Sequence, residues 1–154
     1  MNKKAWIQIV VGALLIVSLI GCNKPATEQP AAAGIPADAA LKITGKVENE
    51  VGWTEEQVRA MDTIEAESTN KAGEASTYTG VPIAALLDLA GLPADAATLT
   101  FVADDGYTAD VELSEVQACS DCIVSFRNQG GFSTVLPGFS GKLQVKGVVE
   151  IQVK

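Results

Sequence analysis

Short stretches in which apolar and polar residues alternate recur beyond residue 40 and predict half-buried β-strands. About seven strands are expected, at residues 41–47, 63–67, 98–103, 107–113, 123–127, 133–136 and 148–153. The sequence Asp104-Asp105-Gly106 lies between two of them and predicts a hairpin, because glycine after aspartate suits a tight turn. That turn explains the two neighbouring carboxylates more simply than a calcium site or an acid–base pair does.

Three other stretches carry the signals of helices. Residues 54–61 begin with Thr54, which can cap a helix, and Gln57 can complete a capping box. Residues 81–91 form the clearest helix, with one apolar face made by Ile83, Leu86, Leu87 and Ala90, and with Pro82 in the first turn and Gly91 as the stop. Residues 114–117 repeat the cap-and-helix pattern in miniature, whereas the polar residues 68–80 predict a loop.

Strands that are interrupted by about three short helices predict an α+β domain with a β-rich mixed sheet. The sequence has no G-x-G-x-x-G motif after a strand and no Walker loop. Nucleotide sites of those two kinds are therefore excluded.

The first 22 residues have the pattern of an export signal. Lys3 and Lys4 precede an apolar stretch over residues 5–20, which is followed by Gly21 and Cys22. This arrangement resembles the bacterial lipobox, so residues 1–21 are expected to be a signal peptide and Cys22 is expected to carry the lipid. The alternative is an uncleaved N-terminal anchor, although the apolar stretch is near the lower limit for crossing a bilayer.

Residues 22–40 are rich in alanine and proline, lack apolar periodicity and predict a flexible linker behind the lipid anchor. Residues 41–154 suffice for one compact domain with a single core. The chain has 11 basic and 19 acidic residues and a net charge of −8, which argues against nucleic acid and anionic headgroups as partners. We therefore expect an extracytoplasmic domain that is held at a membrane by its lipid.

The chain contains no histidine, which excludes Ser-His-Asp and Cys-His catalysis, zinc hydrolysis with His ligands and His-ligated haem. Once Cys22 is assigned to the lipid, Cys119 and Cys122 remain as a C-x-x-C pair. In an oxidising compartment a disulfide is the first interpretation, with a redox-active dithiol and a metal site as alternatives. A thioredoxin-like dithiol would need a helix N-terminus to activate its first thiol, whereas this pair follows a helical pattern.

Several short motifs occur in the order and at the spacing of one enzyme family. They are Tyr-Thr-Gly-Val-Pro at residues 78–82, Asp-Gly-Tyr at residues 105–107, Leu-Pro-Gly at residues 136–138 and Val-Lys-Gly-Val at residues 145–148. With the strand at residues 41–47, they make the domain resemble the molybdopterin-binding domain of the sulfite oxidase family of oxidoreductases. The resemblance implies that fold, a molybdopterin cofactor and a redox partner in the cell envelope.

In that family a cysteine thiolate, commonly in a C-x-x-N pattern, binds molybdenum. The corresponding stretch here is residues 65–70, in which Asn70 matches but the ligand position falls on Glu67 or Ser68. The resemblance therefore implies cofactor contacts without assigning a catalytic residue or a metal ligand. The implied contacts are Ser68, Asn70, Tyr107, Arg127 and Lys146.

Arg127 and Lys146 are the candidates for contact with an anionic group, because guanidinium and ammonium groups bind oxyanions well. The simpler alternative for both is a surface ion pair with one of the many carboxylates. Arg59 is expected to be a solvated surface charge, and Tyr107 is expected in the core or in a pocket lining.

Three functions remain open from the sequence. The resemblance implies a molybdopterin-dependent oxidoreductase, but the missing thiolate speaks against molybdenum redox chemistry. A non-enzymatic lipoprotein of the envelope that binds a small ligand or a partner is the alternative. A dithiol redox protein that uses Cys119 and Cys122 is the third.

Overall fold

The computed structural model describes residues 34–69 and 72–154. The predicted signal peptide, Cys22 and most of the predicted linker lie outside these ranges, as does Asn70. Within the described ranges, no helix combines the length and the apolar character that crossing a bilayer requires.

The described residues form nine strands in two sheets. The first sheet contains β1 (Leu41–Gly45), β2 (Val51–Trp53), β5 (Thr98–Ala103), β6 (Thr108–Glu112) and β9 (Val148–Val153), in the order β2-β1-β9-β5-β6. Its strands β1 and β9 run parallel, and the other neighbours run antiparallel. The sheet is therefore mixed, as the sequence predicts.

The second sheet contains β3 (Ile64–Thr69), β4 (Ala75–Pro82), β7 (Ile123–Phe126) and β8 (Phe132–Val135), in the order β3-β4-β7-β8. All of its neighbouring strands are antiparallel. β4 pairs with β3 from residue 75 to residue 80 but with β7 only over residues 80–82. The β3–β4 hairpin therefore diverges from the β7–β8 hairpin, and the sheet is forked.

Three α-helices connect the strands: α1 (Glu55–Arg59), α2 (Ile83–Ala90) and α3 (Leu113–Gln117). The capping box of α1 is present as predicted, with Thr54 accepting from the Gln57 amide. The predicted apolar face of α2 is buried, and Gly91 ends this helix with φ +72°. A short 3-10 helix, Gly141–Leu143, precedes β9.

The structure corrects three expectations about local structure. Residues 68–69 and 75–80 form strands and not a loop, because β3 continues to Thr69 and β4 begins at Ala75. Ser114 does not cap α3, since the N-cap is Glu112 and makes no side-chain hydrogen bond there. β2 was not predicted, because all three of its residues are buried and show no alternation.

The two faces of the second sheet differ in what they bury. Val124 and Phe132 belong to the main hydrophobic core, together with the fully buried Trp53. Their strand neighbours Ile123 and Val135 instead form a separate small cluster with the buried Ala66. The second sheet therefore has one face on the core and one face that is only partly covered.

Candidate functional site

A groove of about 930 Å³ opens on the partly covered face, where β4 diverges from β7. We call it the sheet groove. Its lining comes from the β3–β4 hairpin, the β7–β8 hairpin and the segment before β9: Ser68, Thr69, Thr77, Tyr78 and Thr79; residues 125–129 and 133–135; and Gly141, Gln144 and Lys146. Most of these side chains carry hydroxyl or amide groups.

The strand register explains why these polar side chains meet. Residues that are directly opposite each other in an antiparallel pair project from the same face of the sheet. Ser68 and Tyr78 share a face through the β3–β4 register. Gly80, two residues beyond Tyr78, pairs with Ser125, and Ser125 pairs with Ser133. One continuous face therefore carries polar residues from all four strands.

The groove is also set apart by its charge. Among its described lining residues, Arg127 and Lys146 are cationic and none is acidic, in a chain with 19 acidic residues. Elsewhere in the described chain, Lys42, Lys46, Arg59 and Lys154 each pair with a carboxylate, whereas Lys142 forms no such pair with a described residue. Neither Arg127 nor Lys146 forms such a pair with any described residue. Two cations and no described acid in the lining make the groove locally positive.

Arg127 lies at the start of the turn between β7 and β8. Its amide donates to the Gly131 carbonyl (3.1 Å), and its carbonyl accepts from the Gly130 amide (3.2 Å). Gly130 and Gly131 have φ values of +88° and +72°, a backbone region that glycine adopts without steric cost. The turn that carries Arg127 therefore depends on two consecutive glycines.

Helix α1 contacts this turn from outside the groove. The Glu55 carboxylate accepts from the Gly131 amide (3.1 Å) and pairs with Arg59 (2.8 Å). Arg59 donates to the Arg127 carbonyl (3.3 Å), and its guanidinium carbon lies 4.8 Å from the centroid of the Phe126 ring. Arg59 is exposed, as expected for a solvated surface charge, but its side chain also makes three kinds of contact.

These contacts also affect the ionisation of Glu55. The hydrogen bond from Arg59 lowers the pKa of Glu55, and the Gly131 amide lowers it further. Both donors favour the charged carboxylate. Glu55 therefore stays ionised while it holds the turn.

Lys146 is placed by the chain segment that runs beside β8. An isolated bridge pairs Lys146 with Ser133. The buried Thr134 hydroxyl donates to the Leu143 carbonyl (2.6 Å) and accepts from the Val145 amide (2.7 Å). This segment acts as a short additional edge of the sheet, and it sets Lys146 on the opposite side of the groove from the β3–β4 hairpin.

The structure brings together three of the five predicted cofactor contacts. Ser68, Arg127 and Lys146 all line the sheet groove. Asn70 lies outside the described residues. Tyr107 does not line the groove, because it belongs to the β5–β6 hairpin of the other sheet, where it is 45% exposed. Its hydroxyl donates to the Lys142 carbonyl (3.0 Å).

Cys119 and Cys122 form a disulfide, as the first interpretation predicts, with their Cα atoms 5.5 Å apart. The pair directly follows α3, so Cys119 is not at a helix N-terminus. Neither cysteine lines the groove. Within the described ranges, no group of three or more Cys, Asp or Glu side chains is arranged to hold a metal ion.

Sequence reasoning did not single out Tyr78, Ser125 and Ser133 as lining residues. Ser125 and Arg127 are two positions apart, which is the period of a strand. Polar residues at this period within otherwise apolar strands were the available signal. That signal shows which residues share a face, but it does not show that the face borders a fork.

No protein-family model matches the chain, and no curated protein sequence matches it significantly. Among solved structures, the chain is similar to the sulfane dehydrogenase SoxCD from Paracoccus pantotrophus, with a TM-score of 0.62 and 21% sequence identity. The match covers 73% of this chain and 37% of that chain, so this chain spans little more than a third of that protein. The similarity shows the fold, which is the sulfite-oxidase-type molybdopterin-binding fold that the sequence predicts.

Proposed function

We propose that this chain is an exported, lipid-anchored protein whose domain binds a small anionic ligand in the sheet groove without molybdenum redox chemistry. The observation that carries the proposal is the pair Arg127 and Lys146, which lack carboxylate partners among the described residues and line a groove without described acids. Guanidinium and ammonium groups, with hydroxyls beside them, are the groups that proteins use to bind oxyanions.

The rest of the lining narrows the class of ligand. A volume of about 930 Å³ is near the upper end of small-molecule sites, which span roughly 300–1,000 Å³. Tyr78 is 40% exposed and offers an aromatic ring beside the hydroxyls of Ser68 and Ser125. We therefore expect an anionic molecule with a polar ring or several hydroxyl groups. The phosphate and pterin parts of a molybdopterin satisfy this description.

The molybdenum ion itself does not suit the same residues. A thiolate is the protein ligand that the fold family uses, whereas the corresponding position here is Glu67 or Ser68, which offers a carboxylate or a hydroxyl. The two cysteines of the domain are bonded to each other and lie outside the groove lining. The donor groups thus suit an organic anion better than a thiolate-held metal.

A molybdopterin-dependent oxidoreductase is the second candidate, and the fold is the observation that favours it. The two candidates differ in what the protein should carry after purification. We would express the full chain in a host that makes molybdopterin, export it, and measure metal and pterin content. We expect no stoichiometric molybdenum or tungsten. One metal ion per chain would overturn the non-redox proposal.

Ligand binding can be tested directly with inorganic phosphate as the probe. In an NMR titration of the full chain, phosphate should shift the signals of Arg127 and Lys146. The double variant Arg127→Met, Lys146→Met should bind about ten-fold or more weakly, because each charge-assisted contact contributes on the order of 1 kcal/mol. The matched control is Lys42→Met, which removes a cation that pairs with Glu150 (3.0 Å) in the other sheet. Equal phosphate affinity in the double variant and the control would contradict the proposal.

A further inference from the structure

We infer that Glu55 and Arg59 of helix α1 are positioning residues for Arg127: they fix the turn that carries its guanidinium and keep that guanidinium free for an anion. The inference rests on the proposed function for the identity of the bound group. Its structural half, the fixing of the turn, does not depend on any ligand.

The contacts from α1 go to the backbone of the turn and leave the Arg127 side chain alone. Glu55 binds the Gly131 amide (3.1 Å), and Arg59 binds the Arg127 carbonyl (3.3 Å). Neither Glu55 nor Arg59 lines the groove. The helix therefore holds the backbone of the turn from the side away from the groove, while Arg127 lines the groove.

The turn needs this support because of its composition. Two consecutive glycines, Gly130 and Gly131, have more backbone freedom to lose than other residues would, and two backbone hydrogen bonds with Arg127 close the turn internally. A cation binds an anion more tightly when its side chain is already held in place, because binding then costs less conformational entropy. The contacts from α1 supply that order.

The charge of Arg59 has a second effect. A Cβ built on Gly131 would lie 4.0 Å from an Arg127 guanidinium nitrogen, and the Gly131 amide is bound to Glu55. Gly131 thus lies between the Glu55 carboxylate, which binds its amide, and the Arg127 guanidinium. Because Arg59 pairs with Glu55 (2.8 Å), it neutralises the carboxylate that would otherwise compete for Arg127. Arg59 thereby protects the anion site from an internal competitor.

If Glu55 competes for Arg127, single and double variants of the full chain should differ in their affinity for inorganic phosphate. Arg59→Met should weaken phosphate binding about three- to ten-fold, since Glu55 then captures Arg127. Adding Glu55→Gln to Arg59→Met should restore part of the affinity, because the competitor has lost its charge. Lys42→Met, which breaks an ion pair in the other sheet, should leave the affinity unchanged.

A merely structural role for Arg59 would give the opposite order. The double variant would then bind no better than Arg59→Met alone. That result would overturn the inference that Arg59 keeps Glu55 from competing for Arg127.

A measurement without ligand separates this inference from the proposed function. Arg59→Met and Glu55→Ala should each accelerate hydrogen exchange at the Gly131 amide, whereas Lys42→Met should not. If phosphate fails to bind the unaltered chain, the proposed function fails, and the exchange rates still decide whether α1 orders the turn. Unchanged exchange at Gly131 in both variants would overturn the positioning role.

Discussion

Glu55 joins two hydrogen-bond donors from different parts of the chain, the Arg59 side chain and the Gly131 amide. The Arg59 hydrogen bond, followed by that of Gly131, lowers the pKa of this carboxyl. A carboxylate whose pKa is lower in the folded state stabilises that state above its unfolded pKa, and the contribution is lost as the pH falls through the folded pKa. The turn that carries Arg127 is therefore expected to loosen in acid.

We predict that the protection of the Gly131 amide against hydrogen exchange declines as the pH falls through the lowered pKa of Glu55. An NMR titration that follows the Glu55 carboxyl and the Gly131 amide together would measure this. The pH dependence at Gly131 should be much flatter in Glu55→Gln, which has no carboxyl to protonate. A transition of equal size in that variant would assign the effect to other carboxylates, such as Glu150.

At the scale of secondary structure, the fork in the second sheet depends on Gly80. This residue pairs with Ile64 on one side and with Ser125 on the other, so it lies where the two hairpins separate. A Cβ built on Gly80 would overlap the Val124 carbonyl oxygen. The close approach of β4 and β7 therefore requires glycine at this position.

We predict that Gly80→Ala lowers the free energy of unfolding by about 1–3 kcal/mol, because the strands must separate to admit the methyl group. Gly141→Ala is the matched control, since no heavy atom lies within 4 Å of its Cβ position. Denaturant unfolding of both variants would measure the difference. A stability loss at Gly80 no larger than at Gly141 would mean that the fork tolerates a side chain there.

The same elements show where sequence reasoning succeeds and where it stops. β5 and β6 could be predicted because a clear turn lies between two alternating stretches. β4 could not, because residues 75–79 are exposed on both faces and lack the apolar alternation that marks a half-buried strand. A strand of this kind is recognised only from its pairing with β3, which is a tertiary contact.

The candidate site shows the same limit. Arg127 and Lys146 could be predicted from the family motifs, and the structure places both in one groove. Tyr107 was expected in the core or in a pocket lining, but the hairpin that carries it belongs to the other sheet. The positioning contacts of Arg59 could not be predicted, because its partners Phe126 and Arg127 are more than sixty residues away in the sequence.

At the scale of the whole molecule, the proposal combines a tethered chain with a ligand-binding domain. The lipobox-like sequence that ends at Cys22 is the basis for the tether. Acylation adds membrane affinity through buried CH₂ groups, at about 0.8 kcal/mol each. The location of the protein should therefore depend on the thiol of Cys22.

We predict that Cys22→Ala releases the protein from membranes without changing its thermal unfolding, because residue 22 precedes the first described element. Fractionation of cells that express each form, with immunodetection of the membrane and soluble fractions, would test this. Ser18→Ala is a suitable control, since it alters the apolar stretch without removing the thiol. Membrane association that persists in Cys22→Ala would favour an uncleaved anchor instead.

The forked sheet has a consequence for how this protein can diverge. Both sides of the groove near the fork are formed by hairpins, and the described residues at the tips of these hairpins do not belong to the main core. Insertions or deletions at those tips would change the width and chemistry of the groove while leaving the interior intact. Sequence changes in these two turns could therefore alter which ligand the groove prefers. The same two turns are the positions that an engineered library should vary first.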